Sequence, residues 1–378
     1  MYRKIVFLLI LILCLPFYSP TFSQNIFKKY VNGIINDTSD IREPQFLMYP
    51  TVAYSPETSW EIGFSSLYVY YPKKDTTNRL SEVNAFTFFT LQNQYGLWLD
   101  HALYTDKNKW FFLGRLRLQS FPLKYHGIGM DSPAGYLALV EANQIMIRER
   151  VLRQVRKNLF FGLQADFQRL GGVDFKASPE NPTIDLPTGS EGSTNLGLGV
   201  GLVYDNRHNV LNVRKGLFSE LAILRYTQAL GDFGFTSVLS DTRIYRPIGK
   251  NNVLAAQLLG QFTTGDVPFN QLALMGGDNM MRGYYMGRYR DKNLLAFQVE
   301  NRFLPLPLGF SKRIGAAVFG GLGTVFPDFQ KASIHKVVWS AGAGLRFLLF
   351  PKKDIYTRFD LAYTQEGSGV YLFIGEAF

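Results

Sequence analysis

The chain has 378 residues, with 40 basic against 30 acidic side chains, 47% hydrophobic residues and 15% aromatics. No stretch beyond residue 24 holds 18 consecutive apolar residues, which excludes a helical membrane protein. The single cysteine, Cys14, lies in the first 24 residues, so the rest of the chain forms no disulfide, thiolate metal site or cysteine nucleophile.

Residues 1–24 read as a signal peptide. Arg3 and Lys4 open it, and Ile5 to Leu15 form an apolar run too short to span a bilayer as a helix. Pro16 ends that run, and Thr21-Phe22-Ser23-Gln24 offers small residues for cleavage. Ile12 and Leu13 are not the small residues that a lipoprotein signal places before its cysteine. Export leaves 38 basic against 30 acidic residues, about +8. Nucleic acid is the usual partner of such a balance, but an exported chain has little access to it. Residues 25–44 make a short periplasmic segment, too small for an independent domain, in which Asn25 to Val31 has the pattern of an amphipathic helix.

Residues 45–378 are expected to be all-β, a single transmembrane antiparallel β-barrel of 16 strands. The strands fall near 46–54, 60–71, 83–92, 95–104, 109–118, 138–155, 158–168 and 193–204. The second half follows at 217–229, 234–246, 252–264, 292–304, 313–325, 336–350, 354–364 and 369–378. Trp110, Phe112, Leu116 and Leu118 oppose Arg115, Arg117 and Gln119, and Leu295, Phe297 and Val299 oppose Gln298, Glu300 and Arg302. A packed core would not tolerate so many unpaired charges, whereas a hydrated lumen would. One set of connections is short and basic, as in Arg156-Lys157 and Pro351–Asp354, and the other holds the long loops 119–137, 169–192 and 265–291. Short periplasmic turns against long outer loops is the asymmetry of an outer-membrane barrel.

Four stretches stand out against this background. Strand 8 runs into Tyr204-Asp205-Asn206-Arg207, followed by Val213 and Gly216. Its bland reading is a periplasmic turn in which Asp205 and Arg207 pair with each other. The 27-residue loop 265–291 between strands 11 and 12 carries Arg282-Gly283-Tyr284, and loops of this length are usually functional. Strand 12 carries Glu300-Asn301-Arg302-Phe303, and the chain closes on Phe378. Folded inward, the loop would place Arg282 in the lumen, where its guanidinium needs a carboxylate; Glu300 on the polar face of the next strand is the first candidate.

Together these stretches resemble the BamA/TamA-type outer-membrane assembly barrels, the bacterial surface-antigen family, over residues 44–378. The resemblance implies that Arg282, Gly283 and Tyr284 with Glu300 form a lumenal clamp, and that Asp205, Arg207 and Gly216 mark a periplasmic turn. It also implies that Phe378 is an insertion signal. Gly321 stands where the family commonly has a second acid, so the clamp rests on Glu300 alone or on Glu300 with Asp360 or another lumenal acid. Family members usually carry periplasmic polypeptide-transport-associated domains, and none is legible here.

Pro50 in strand 1 and Gly375 in strand 16 weaken the two strands that must meet to close the barrel. The implied function is insertion or translocation of outer-membrane proteins, or of lipids, through that seam. The implied partners are outer-membrane lipids, unfolded outer-membrane proteins and periplasmic accessory proteins, without a cofactor, metal or enzymatic activity. A transport channel with a loop constriction is one alternative; a lipid-modifying enzyme is another. The enzyme would need a base, for which only His101 and His126 are suitably placed; His208 and His335 are scattered and no Gly-x-Ser-x-Gly elbow exists. Gly197, Gly199 and Gly201 on the lumenal face of strand 8 are expected to make room for the inward loop.

Overall fold

A computed structural model describes residue 40 and residues 42–180, 183–207, 209–331 and 336–378. The signal peptide, the segment Asn25 to Val31, His208 and His335 lie outside the described residues. Sixteen antiparallel strands close into one barrel. They are β1 (Gln45–Ser55), β2 (Ser59–Tyr70), β3 (Ser81–Thr90), β4 (Tyr95–Tyr104), β5 (Trp110–Ser120), β6 (Ala138–Arg156), β7 (Leu159–Ala177) and β8 (Ser193–Asp205). The circuit continues with β9 (Gly216–Gly231), β10 (Phe235–Pro247), β11 (Asn252–Gly265), β12 (Asn293–Phe303), β13 (Ile314–Phe326), β14 (Val338–Phe350), β15 (Ile355–Thr364) and β16 (Gly367–Ile374). A further short strand, Leu123–Tyr125, continues β5 in the same register against β6 after Pro122 has removed a ladder donor.

Period-2 alternation decides what faces out. Ile62, Phe64, Phe89, Leu118, Ile147, Leu163 and Phe297 are large, apolar and exposed, whereas their chain neighbours turn into the lumen. Such an outward apolar band is what a bilayer covers. The lumenal face instead buries Asp166, Gln164, Gln257, Gln298 and Glu300 in hydrogen-bonded pairs.

Three expectations need correction. The seventh strand does not stop near 168 but runs on to Ala177, because Leu170–Ala177 stays laddered to the outer end of β6. The outer loop after it is correspondingly shorter. The last strand ends at Ile374, not at 378, because Gly375 takes φ +93° and donates its N–H to the Tyr356 carbonyl at 2.8 Å, turning the final residues inward. The room beside Gly197 is taken by the Tyr226 ring, whose hydroxyl donates to Asp166 at 2.7 Å, and not by the inward loop.

The closing ladder is short. β1 holds eleven register pairs with β2 but one with β16, Tyr54 opposite Leu372. β6 and β7 share seventeen. Amides of β16 that face β1 should therefore exchange with solvent at least about tenfold faster than those of the β6–β7 ladder. Uniform protection around the barrel in residue-resolved hydrogen exchange would contradict this ranking.

Candidate functional site

The loop between β11 and β12 folds into the barrel. It is not structureless: a 3-10 turn, Phe269–Gln271, is followed by two short strands, Ala273–Met275 and Tyr289–Asp291, that pair with each other. Met275, Met281, Tyr284 and Tyr289 are buried against Leu294, Ala296, Val325 and Val338 of the wall. Apolar burial thus sets the loop in place and carries its polar tip to the lumenal charges.

At that tip Arg282 is 1% exposed. Its Nη2 donates to Glu300 Oε2 at 2.5 Å and its Nη1 to Asp360 Oδ2 at 2.6 Å, while the guanidinium lies 3.4 Å from the centroid of the Phe319 ring. Asp360 therefore supplies the second carboxylate. Gly321, on β13, instead leaves space: a Cβ there would lie 3.2 Å from Met281 Sδ. Gly283 takes φ +105°, and a Cβ on it would come within 2.5 Å of Thr364 Cγ2, so the chain passes β15 only as glycine. The Gly283 N–H donates to the Tyr371 hydroxyl at 2.8 Å, and Ser340 Oγ donates to the Arg282 carbonyl. Tyr284 is 1% exposed and packs edge-on against Tyr289.

The charges extend beyond this clamp. Arg302 donates to Glu300 at 2.8 Å, Arg346 to Asp360 at 2.5 Å and to Glu376 at 2.9 Å, and Arg358 to Asp278 at 2.9 Å. Four arginines and four carboxylates thus neutralise one another. Phe378 belongs to the same network: its backbone oxygen accepts from Arg302 Nη2 at 2.9 Å, and its ring lies 5.1 Å from that guanidinium. The sequence reading missed Arg346, Arg358, Asp278 and Glu376 as members. Arg358 carried a signal, since it shares the lumenal face of β15 with Asp360 two residues on; Arg346 and Glu376 meet only because the chain turns inward after β16.

At its outer end the loop is tied to two hairpins. The Arg288 guanidinium donates to both oxygens of Glu366, at 2.7 and 2.6 Å, in the β15–β16 turn. The Met286 N–H donates to Glu57 Oε1 at 2.7 Å, in the β1–β2 turn. Burial pushes the Glu57 carboxyl up to about 7, with Asp278 adding to the shift. Glu57, Glu61, Asp278 and Met286 line a cavity of about 570 Å3 between the loop and the first hairpin.

The other singled-out residues lie apart from the clamp. Asp205 and Arg207 pair bidentately at 3.0 and 2.9 Å, and Arg79 adds a contact to Asp205 at 3.3 Å. Gly216 takes φ +127° where a Cβ would come within 2.7 Å of Arg207 Cα. Pro50 is exposed on the outward face of β1, opposite Phe64 of β2. His101 points outward and contacts Glu149, whereas both ring nitrogens of His126 are buried without a partner. Among the described residues no hydroxyl is hydrogen-bonded to either imidazole.

Two outcomes follow from this geometry. Arg282→Ala should cost about 3 kcal/mol of barrel stability by leaving buried carboxylates undercompensated, and Glu300→Gln should cost a similar amount. The double variant should cost little more than either alone in urea titrations, because the residues share one interaction; strictly additive losses would show that they do not. Glu57 gives a pH dependence. Its folded value lies above the ordinary 4.5, so its stabilisation is complete below about 4.5 and is lost as pH rises through about 7. Unfolding midpoints should fall across that window, and Glu57→Gln should flatten the slope; an unchanged slope in the variant would refute the assignment.

The comparisons with known proteins agree with this architecture. The Omp85 superfamily domain matches residues 141–378, more than half of the chain. Among solved structures, BamA from Haemophilus ducreyi lacking POTRA domains 1–3 is similar at a TM-score of 0.56 and 15% identity, over 88% of this chain and 70% of that one. CdiB from Escherichia coli gives 0.54 at 9% identity, over 92% of this chain and 69% of that one. CdiB from Acinetobacter baumannii gives 0.53 at 10% identity, over 88% of this chain and 59% of that one. No curated protein matches the sequence. At these identities the structural likeness carries the fold, and the domain match carries the family: the chain belongs to the Omp85 superfamily.

Proposed function

We propose that this barrel sits in the bacterial outer membrane and inserts or translocates outer-membrane proteins, or lipids, through the seam between β1 and β16. The observation that carries the reading is the closing ladder, reduced to the pair Tyr54–Leu372. Pro50 sits on β1, and Gly375, directly after β16, turns the last residues out of the wall. An incompletely paired edge in lipid is costly, so a closed state held by so little lies near an open one. The clamp of Arg282, Gly283 and Tyr284 on Glu300 holds the loop as a lumenal plug, which argues against a standing channel. Asp205, Arg207 and Gly216 shape a periplasmic turn suited to meeting accessory proteins. Phe378 serves as the recognition signal for this chain's own insertion before it tucks into the lumen. Unfolded outer-membrane proteins and the surrounding lipids are the proposed partners, and the chemistry requires no catalytic residue.

The test is a reversible lock. A disulfide between Tyr54→Cys and Leu372→Cys should lower assembly activity at least tenfold and leave the barrel folded, and reduction should restore it. The equivalent bond between Leu97→Cys and Leu118→Cys, a register pair of β4 and β5, should be harmless. If the seam-locked protein still supports assembly, passage runs elsewhere and the channel reading takes its place.

A further inference from the structure

The outward wall carries one feature that the bilayer does not explain. His101 of β4 and Glu149 of β6 both point away from the lumen, and Nε2 lies 2.9 Å from Oε2. They reach each other over Gly114 of β5, which stands between them in register. A Cβ at Gly114 would lie 2.1 Å from the imidazole Nε2 and 2.3 Å from the carboxylate, so the contact exists only because that residue is glycine. Around the pair the same face is apolar: Leu99, Leu116 and Ile147 on one side, Leu103, Phe112 and Val151 on the other. Trp110, stacked near Arg153, sits four residues toward the periplasmic rim, and Leu118 four residues toward the outer rim. The pair is thus well inside the band that lipid would cover. Among the described residues no other ion pair has both members facing outward within that band.

Ionisable side chains facing hydrocarbon are rare and costly, and they mark functional positions. The Glu149 side chain remains 39% exposed, and the His101 Nδ1 is buried without a partner. The exposed Glu149 carboxylate therefore keeps hydrogen-bonding capacity that lipid cannot meet. We propose that this wall, β4 to β6, is a contact surface for a second copy of the same chain. Charge complementarity selects that occupant. The patch holds one imidazole and one carboxylate side by side at a single depth. A two-fold axis along the membrane normal brings identical patches face to face with left and right exchanged, so His101 of each copy meets Glu149 of the other. Both copies share one orientation in the membrane, which matches the depth automatically. A different protein would have to supply its own polar pair at that level. The interface is isologous, with Leu116, Ile147 and Phe112 forming its apolar surround.

The inference does not depend on the seam reading and is tested separately, in membranes, on the full chain. Leu116→Cys should form an intermolecular disulfide at least tenfold more readily than Leu258→Cys, an outward-facing and more exposed control on β11. Added to Leu116→Cys, the changes His101→Leu and Glu149→Leu should reduce that yield at least tenfold while the barrel stays heat-modifiable. The exchanged pair, His101→Glu with Glu149→His, remains self-complementary and should restore it. Three results would overturn the proposal: Leu116→Cys cross-links no better than Leu258→Cys, the leucine pair leaves the yield unchanged, or the Leu116→Cys thiol is captured mainly by a different protein. The comparison of the two single cysteine variants needs no change in the pair, so it decides the matter even if the leucine variant fails to fold.

Discussion

A buried arginine needs a counter-charge, and much of the interior of this barrel is arranged around meeting that need. Arg282 enters from a loop, Glu300 and Arg302 from β12, Arg346 from β14, and Asp360 with Arg358 from β15. Each of these arginines reaches a carboxylate on a different segment, so the pairing is complete only when loop, strands and chain end are assembled. Desolvating any one of these groups alone would be prohibitive, so loop, wall and chain end are bound to one another by charge balance rather than by contact area. Apolar burial of the loop methionines and tyrosines brings the parts together, and the ion network fixes which parts they are.

The same balance accounts for the last strand. Glu376 and the Phe378 backbone oxygen answer Arg346 and Arg302, and Gly375 supplies the left-handed turn that carries them inward. Residues that serve the lumen are not available to the wall. The short closing ladder and the charge-balanced interior are therefore two views of one trade.

Much of this was legible in the sequence, for identifiable reasons. Strand count followed from period-2 alternation, which survives wherever one face meets lipid and the other meets water. Glu300 could be placed because it lies on the charged face of the strand after the loop. The inward turn of the chain end could not be read, since a glycine within an apolar run is equally compatible with a straight strand, and its partners lie on β12 and β14. The extension of β7 was masked by Gly171 and Gly172, which look like a turn but leave the ladder to β6 running to Ala177. The second carboxylate on Arg282 was open for the same reason as the chain end: Asp360 is distant in sequence and adjacent only once the loop has folded inward.

The two outer anchors of the loop have a directional consequence. Met286 holds the β1–β2 turn through Glu57, Arg288 holds the β15–β16 turn through Glu366, and a single residue, Gly287, separates them. Two Cα steps span at most about 7 Å. This short tether bridges the two banks of the seam at their outward tips, like a stitch at the top of a zip. While both anchors hold, the tips of the first and last hairpins stay together, so the short β1–β16 ladder is least restrained at the opposite rim of the barrel.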